Sequence, residues 1–387
     1  MKNRSLLMIP GPIEFDPAVL SALGAPTTSH LAPEFIEAFG QALDRMREIF
    51  LCEQGQPFVL AGSGTLAMDC AGANLVEPGD KALVINTGYF SQRFAALLER
   101  YGAEVTQVNT PVGGRPTLEE VDAALQREAY KLVTITHVDT STAVMADVPG
   151  IAALARQAGA LVIVDGVCSV AGEDLRMDEW GIDVALTASQ KAIGVPPGLA
   201  LLVAGPRAIE AFQRRKSPVL NYYADWTHWL PVMQAYADRR PSYFGTPSVN
   251  LIFALNVSLG QILAEGLERR FTRHQLLSVM CQAGIAALGL GQVPLQAEFA
   301  AHTLTAPRYP AGVDGGAFLT RVALAGVVLA GGLHPAIKAE YFRIGHMGAH
   351  TPGDVLATIG AVEMALAGCG YGFESGAGVG AAQVALI

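Results

Sequence analysis

The chain has 387 residues, 42 of them glycine, with 16% charged and 51% hydrophobic residues. So much apolar content beside so little charge, where about 25% is usual, excludes intrinsic disorder. Five scattered cysteines exclude a disulfide scaffold, and a net charge of −9 argues against a nucleic-acid binder.

The length suits one large α/β domain with a satellite. No C-x-x-C or H-E-x-x-H spacing occurs, so no metal site is expected. The longest apolar run, Val322 to Leu333, falls short of the roughly 20 residues of a membrane span. Leu6-Leu7-Met8-Ile9 runs into Pro10-Gly11-Pro12 and is too short for a signal sequence. Ala385-Leu386-Ile387 is not the peroxisomal S-K-L. Free thiols and no leader fit a cytoplasmic location.

From residue 56 to 205 short apolar runs alternate with amphipathic ones. Phe58–Leu60 reads as a strand, and Gly62-Ser63-Gly64-Thr65 opens a helix reaching about Val76. Strands at 81–85, 104–108 and 132–136 alternate with helices at about 91–101, 118–128 and 149–158. Leu161–Val164 is a strand closed by Asp165, and two more follow at 184–187 and 199–203. Continuous apolar strands between helices indicate a mostly parallel sheet buried on both faces. After Asn250 two long helices, at about 251–266 and 268–288, lead into a smaller α+β region. The Gly/Ala-rich stretch from Gly372 is expected to fray.

In such sheets ligands sit beyond the carboxyl ends of the strands. Ser63-Gly64-Thr65, Thr140, Asp165 and Lys191 all fall there. The chain has only six lysines: Lys2, Lys81, Lys131, Lys191, Lys216 and Lys338. A strand-end lysine is ordinarily just solvated, but a desolvated one suits Schiff-base chemistry. A carboxylate closing an apolar strand needs a partner: a helix cap, a salt bridge or a pyridinium nitrogen. The glycine loop offers N–H groups to an anion, yet fits neither dinucleotide nor P-loop spacing. Tyr89-Phe90 is core or a stacking face for a flat ring. Arg343, charged in an apolar stretch, is either a structural ion pair or a carboxylate clamp. Cys168 and His346 read as structural.

The order of these signals resembles the class V, fold-type I aminotransferases that use pyridoxal phosphate. Within them it is most similar to the fungal-type alanine–glyoxylate enzymes. The matching strings are Leu7–Pro12, Gln56–Thr65, Thr136–Val144, Asp178–Gly181, Leu186–Gly194, Tyr243–Pro247 and Tyr341–Gly348. The resemblance spans roughly residues 6 to 370. It implies a large cofactor-binding domain at 16–255 with a mostly parallel seven-stranded sheet. An N-terminal segment, 1–15, would reach the active site; a small α+β domain would occupy 256–372 and a flexible tail 373–387.

The same resemblance implies the roles. Lys191 would bind the cofactor and shuttle the proton, and Asp165 would keep the ring nitrogen protonated. Phe90 would stack on the ring, where many relatives have Trp, and Thr140 would meet its hydroxyl side. Ser63, Gly64, Thr65 and Gln190 would bind the phosphate. Tyr243 and Thr246 would reach the phosphate of a neighbouring subunit, implying a homodimer with sites at its interface. Arg343 and Gly11 would face the substrate, a small amino or 2-oxo acid. Gly166 departs from the usual Ala or Ser, which implies looser support for the ring.

The reaction implied is ping-pong transfer from L-alanine to glyoxylate through pyridoxamine phosphate, giving pyruvate and glycine. The alternatives are a serine–pyruvate, serine–glyoxylate or pyridoxamine–pyruvate aminotransferase, or a non-catalytic α/β binding protein. Gln190 before Lys191, where desulfurases place His, argues against cysteine desulfurase.

Overall fold

The computed structural model describes residues 5–387. Residues 1–4 of the expected N-terminal segment, Lys2 among them, lie outside that range. The chain folds around a seven-stranded sheet. Its strands are β1 (Gln56–Gly62), β2 (Lys81–Asn86), β3 (Glu104–Asn109), β4 (Leu132–Thr136), β5 (Leu161–Asp165), β6 (Val184–Ala188) and β7 (Gly198–Ala204). Across the sheet the order is β1, β7, β6, β5, β4, β2, β3. Strand β7 runs antiparallel to both neighbours, and the remaining adjacent pairs are parallel.

Every residue of β4, β5 and β6 is buried, as continuous apolar runs between two helical layers require. Edge strand β3 is polar and largely exposed, which blunts the edge against further pairing. All the parallel strands deliver their carboxyl ends to one side of the sheet.

The apolar core has a large part around the sheet and a smaller one at the C-terminal end. The helix Val249–Glu265 belongs to the first through Leu255, Leu259 and Ile262. The helix Leu267–Ala287 joins the second from Leu277 onward. The two helices meet at an 87° bend at Gly266. Among the described residues no single helix is long and apolar enough to cross a membrane.

The N-terminal segment joins the smaller part. Leu6–Leu7 pairs with Val327–Val328, and the Gly345 N–H donates to the Met8 carbonyl at 2.9 Å. A Cβ on Gly345 would lie 2.2 Å from the Ile9 oxygen, so only glycine admits that backbone. The segment then crosses to the large sheet, where the Ile13 N–H donates to Gln190 O at 3.3 Å.

The C-terminal residues are not frayed as expected. Ala377–Val384 is a helix, and Ala382 is buried in the smaller core. The Glu363 carboxylate accepts the N–H groups of Gly376, Gly378 and Val379 at 3.1, 2.8 and 3.1 Å. Glycine spacing let the new helix approach closely: a Cβ on Gly284 would sit 3.1 Å from Gly378 O. Composition alone hid this, because small residues mark close helix packing as well as flexibility.

Candidate active site

Five strands of the sheet, β1, β2, β4, β5 and β6, end around a cavity of about 200 Å³. Nine of the residues singled out in the sequence line it: Gly11, Ser63, Gly64, Thr65, Phe90, Thr140, Asp165, Gln190 and Lys191. A larger hollow of about 390 Å³ lies between Glu265, Arg270, Arg273 and His350. Its arginines are already engaged by Glu265, whereas the smaller cavity brings together Lys191 and Asp165.

Lys191 follows β6 and is only 8% exposed. Burial pushes its amine down, and the nearby Arg343 charge adds to this; Cys168 and Asp165 act against it. Its Nζ donates to the Pro10 carbonyl. A Cβ on Gly11 would lie 2.7–2.9 Å from the lysine's Cδ, Cε and Nζ, so glycine is needed where the N-terminal segment passes the amine.

Asp165 ends β5 and is 2% exposed. Burial raises its carboxyl to about 6, and Asp139 adds to this; the Val167 N–H, Lys191 and Arg93 oppose it. That N–H donates to Oδ1 at 3.0 Å. Beneath it, a Cβ on Gly166 would lie 2.6 Å from Val170 Cγ2, so Val170 fills the space that a larger residue would take.

Strand β1 leads through Ser63 into the helix Gly64–Leu75, and no described side chain caps that helix. Its N-terminus therefore keeps anion-binding capacity at the cavity wall. Gln190 adds an amide whose buried oxygen has no partner, and such an amide can present either oxygen or nitrogen to a ligand.

Phe90 lies in the first turn of the helix Tyr89–Arg100. Arg93, one turn on, also lines the cavity. Its guanidinium sits 5.0 Å from both the Tyr89 and Phe90 ring centres and donates to Thr65 Oγ1 at 3.2 Å. Sequence reading passed over Arg93; its only signal was the i,i+4 spacing from Tyr89, which reads equally as a solvated helix face.

Arg343 is half-buried beside the cavity rather than in its wall. Its Nε donates to Gly331 O at 2.9 Å and one terminal nitrogen to Thr140 O at 3.2 Å. No carboxylate of the described residues forms an ion pair with it, which sets aside the structural ion pair. Tyr243 and Thr246 do not line this chain's cavity. They are exposed, 3.4 Å apart through their hydroxyls, with Tyr243 packed on His30. Cys168 is buried with its thiol pushed up by desolvation, and His346 bonds Thr305 at 3.0 Å; both are structural.

A buried amine and a buried carboxylate thus share one cavity with an aromatic ring and an uncapped helix end. Residues 19–347 match the aminotransferase class-V family. The chain belongs to that family. Alanine–glyoxylate aminotransferase 1 of Saccharomyces cerevisiae is 40% identical over 90% of this chain and 93% of its own length. The L-aspartate–glyoxylate aminotransferase of Paracoccus denitrificans is 34% identical over 99% and 96%. Among solved structures, an alanine–glyoxylate aminotransferase from Nostoc superposes with a TM-score of 0.88 at 33% identity, covering 94% and 95% of the two chains. The chain is therefore an aminotransferase of fold type I, with the α/β architecture that its strand pattern implied.

Proposed function

We propose that this aminotransferase uses pyridoxal phosphate to move the amino group of L-alanine to glyoxylate, giving pyruvate and glycine in two ping-pong half-reactions. The observation that carries the reading is the pairing of Lys191 and Asp165, shifted in opposite directions, in one cavity. The alanine and glyoxylate assignment is supported by the named activities of the yeast and Nostoc relatives.

The residues present fit the cofactor. The uncapped helix at Gly64, the Ser63 and Thr65 hydroxyls and the unpartnered Gln190 amide suit its phosphate. Phe90 offers a face to its ring, Thr140 a hydroxyl, and Asp165 an anion for its nitrogen. When bound, the protonated ring supplies the electron sink that makes the donor's Cα hydrogen acidic.

The chain's residues supply the rest. Burial makes the Lys191 amine give up its proton more readily than an exposed lysine does, so Lys191 is suited to hold the cofactor aldehyde and then to take and return the Cα proton. Asp165, at about 6 in the protein alone, ionises readily against a cationic ring nitrogen. Arg343 keeps part of its guanidinium unused by its two carbonyl contacts, and that part suits a substrate carboxylate. The Gly11 segment closes over the amine and limits water.

Tyr243 and Thr246 support a homodimer, because they stand exposed and outside their own chain's cavity. Leu31, Leu220 and Tyr222 are exposed as well, in the same aromatic-rich region as Tyr243. Sedimentation of the purified protein at twice the chain mass supports the dimer; a monomer with full activity contradicts it. The reaction itself is tested with a donor panel of alanine, serine and aspartate against glyoxylate. The reading requires alanine to give the highest kcat/KM. Preference for serine or aspartate would reassign the donor.

A further inference from the structure

Two helices point their N-termini towards the cavity, and they are finished differently. The helix Gly64–Leu75 is uncapped, whereas the helix Tyr89–Arg100 is sealed from a distance. Its first three N–H groups are all taken by one loop. Tyr89 N–H donates to Ser141 Oγ at 3.0 Å, and Phe90 and Ser91 N–H donate to Asp139 Oδ2 at 3.0 and 3.2 Å. Ser91 Oγ donates to the same oxygen at 3.4 Å. The other oxygen of Asp139 accepts the Ser141 N–H at 2.9 Å and the Ser141 hydroxyl at 2.5 Å.

Asp139 is fully buried, and five donors converge on its two oxygens. The approach is close enough to fix its neighbour as glycine. A Cβ on Gly88 would lie 2.6 Å from Asp139 Cγ and 2.7 Å from Ser141 Oγ. Thr142 Oγ1 closes the arrangement by donating to Thr87 O at 2.9 Å.

Asp139 does not itself line the cavity, yet it binds the backbone of Phe90 and stands next to Thr140, and both of these do. Thr140 is therefore pinned between Asp139 and Ser141, and Phe90 hangs from the same carboxylate. We propose that Asp139 is a positioning residue that holds the ring-facing Phe90 and the hydroxyl of Thr140 in fixed register around the cofactor. The sealing has a second consequence. A helix end already occupied by a protein carboxylate offers nothing to a phosphate, so the anion is directed to the uncapped helix at Gly64.

This inference rests on the pyridoxal phosphate reading of the cavity. The test is titration of cofactor-free protein with pyridoxal phosphate, followed by visible absorbance and visible circular dichroism. Asp139→Asn keeps the size but leaves fewer acceptors for five donors. It should weaken cofactor binding at least tenfold and change the visible dichroism of bound cofactor, which reports ring orientation. Ser141→Ala, which removes one link to Asp139 and one to Tyr89, should do the same to a smaller extent. Should Asp139→Asn fail to fold, Ser141→Ala carries the test. A folded variant with lowered Tm but wild-type cofactor affinity and dichroism would overturn the inference, because the role would then be structural only. Wild-type protein that takes up no pyridoxal phosphate would instead overturn the cavity reading, and this inference with it.

Discussion

Lys191 and Asp165 come from adjacent strands, β6 and β5, and burial shifts both towards their neutral forms. Replacing Lys191 with Ala should abolish the visible cofactor band and lower turnover by at least about 10³-fold, the scale of a lost general acid–base. Turnover that persists in that variant would rule out the lysine. Arg343→Ala should raise KM for both amino and oxo acids by about 10–100-fold, from roughly 1.5–3 kcal/mol per charge-assisted bond. Unchanged KM for both would remove Arg343 from the substrate side. Asp165 and Lys191 were legible because one ends and the other follows an apolar strand, and Arg343 because it interrupts an apolar stretch, where a charged group is conspicuous. Arg93 and Asp139 were not. Arg93 sits on a helix like any solvated arginine, and the helix partners of Asp139, Phe90 and Ser91, lie 49 and 48 residues away, beyond any local spacing rule.

The sheet strands were readable because burial on both faces leaves an unbroken apolar run, as in Leu161–Val164. The helices Pro206–Gln213 and Trp226–Ala237 gave no such signal. The second carries Pro231 inside it, a residue that ordinarily interrupts a helix. The terminal helix Ala377–Val384 was masked by glycine, and it is held chiefly by Glu363 and by packing on the helix Leu267–Ala287. Glu363→Ala leaves three N–H groups without that acceptor. It should cost about 1–3 kcal/mol, read as a lower midpoint in urea with cofactor affinity unchanged. An unaltered midpoint would show that the helix is held by packing alone.

Across the whole molecule, stability should decline in acid. Burial lowers His137 to about 4 and His346 to about 3, and holds His274 well below its ordinary 6.5. The unfolded chain protonates these rings first, so their contribution is complete above pH 6.5 and is lost as pH falls towards the folded values. Asp165 acts oppositely in cofactor-free protein. Its raised carboxyl favours the fold below 3.8, and that contribution is lost as pH rises through about 6. His302 opposes too: burial would lower it, but its 2.8 Å contact with Glu173 wins and raises it. The three buried rings carry the larger shifts, so Tm of cofactor-free protein should fall from about pH 7 to about pH 4.5. A Tm that holds or climbs over that range would contradict this balance. On the proposed reading an acidic chain, at −9, holds two anions through local groups: Arg93 and one helix end at the cavity, with Arg343 beside it.

The central claim is tested most directly by one spectrum. Purified protein loaded with pyridoxal phosphate should show a violet absorbance band. L-alanine should bleach it with stoichiometric release of pyruvate, and glyoxylate should then restore it with formation of glycine. A protein that shows no band after cofactor addition, or a band that alanine leaves unchanged, would contradict the account.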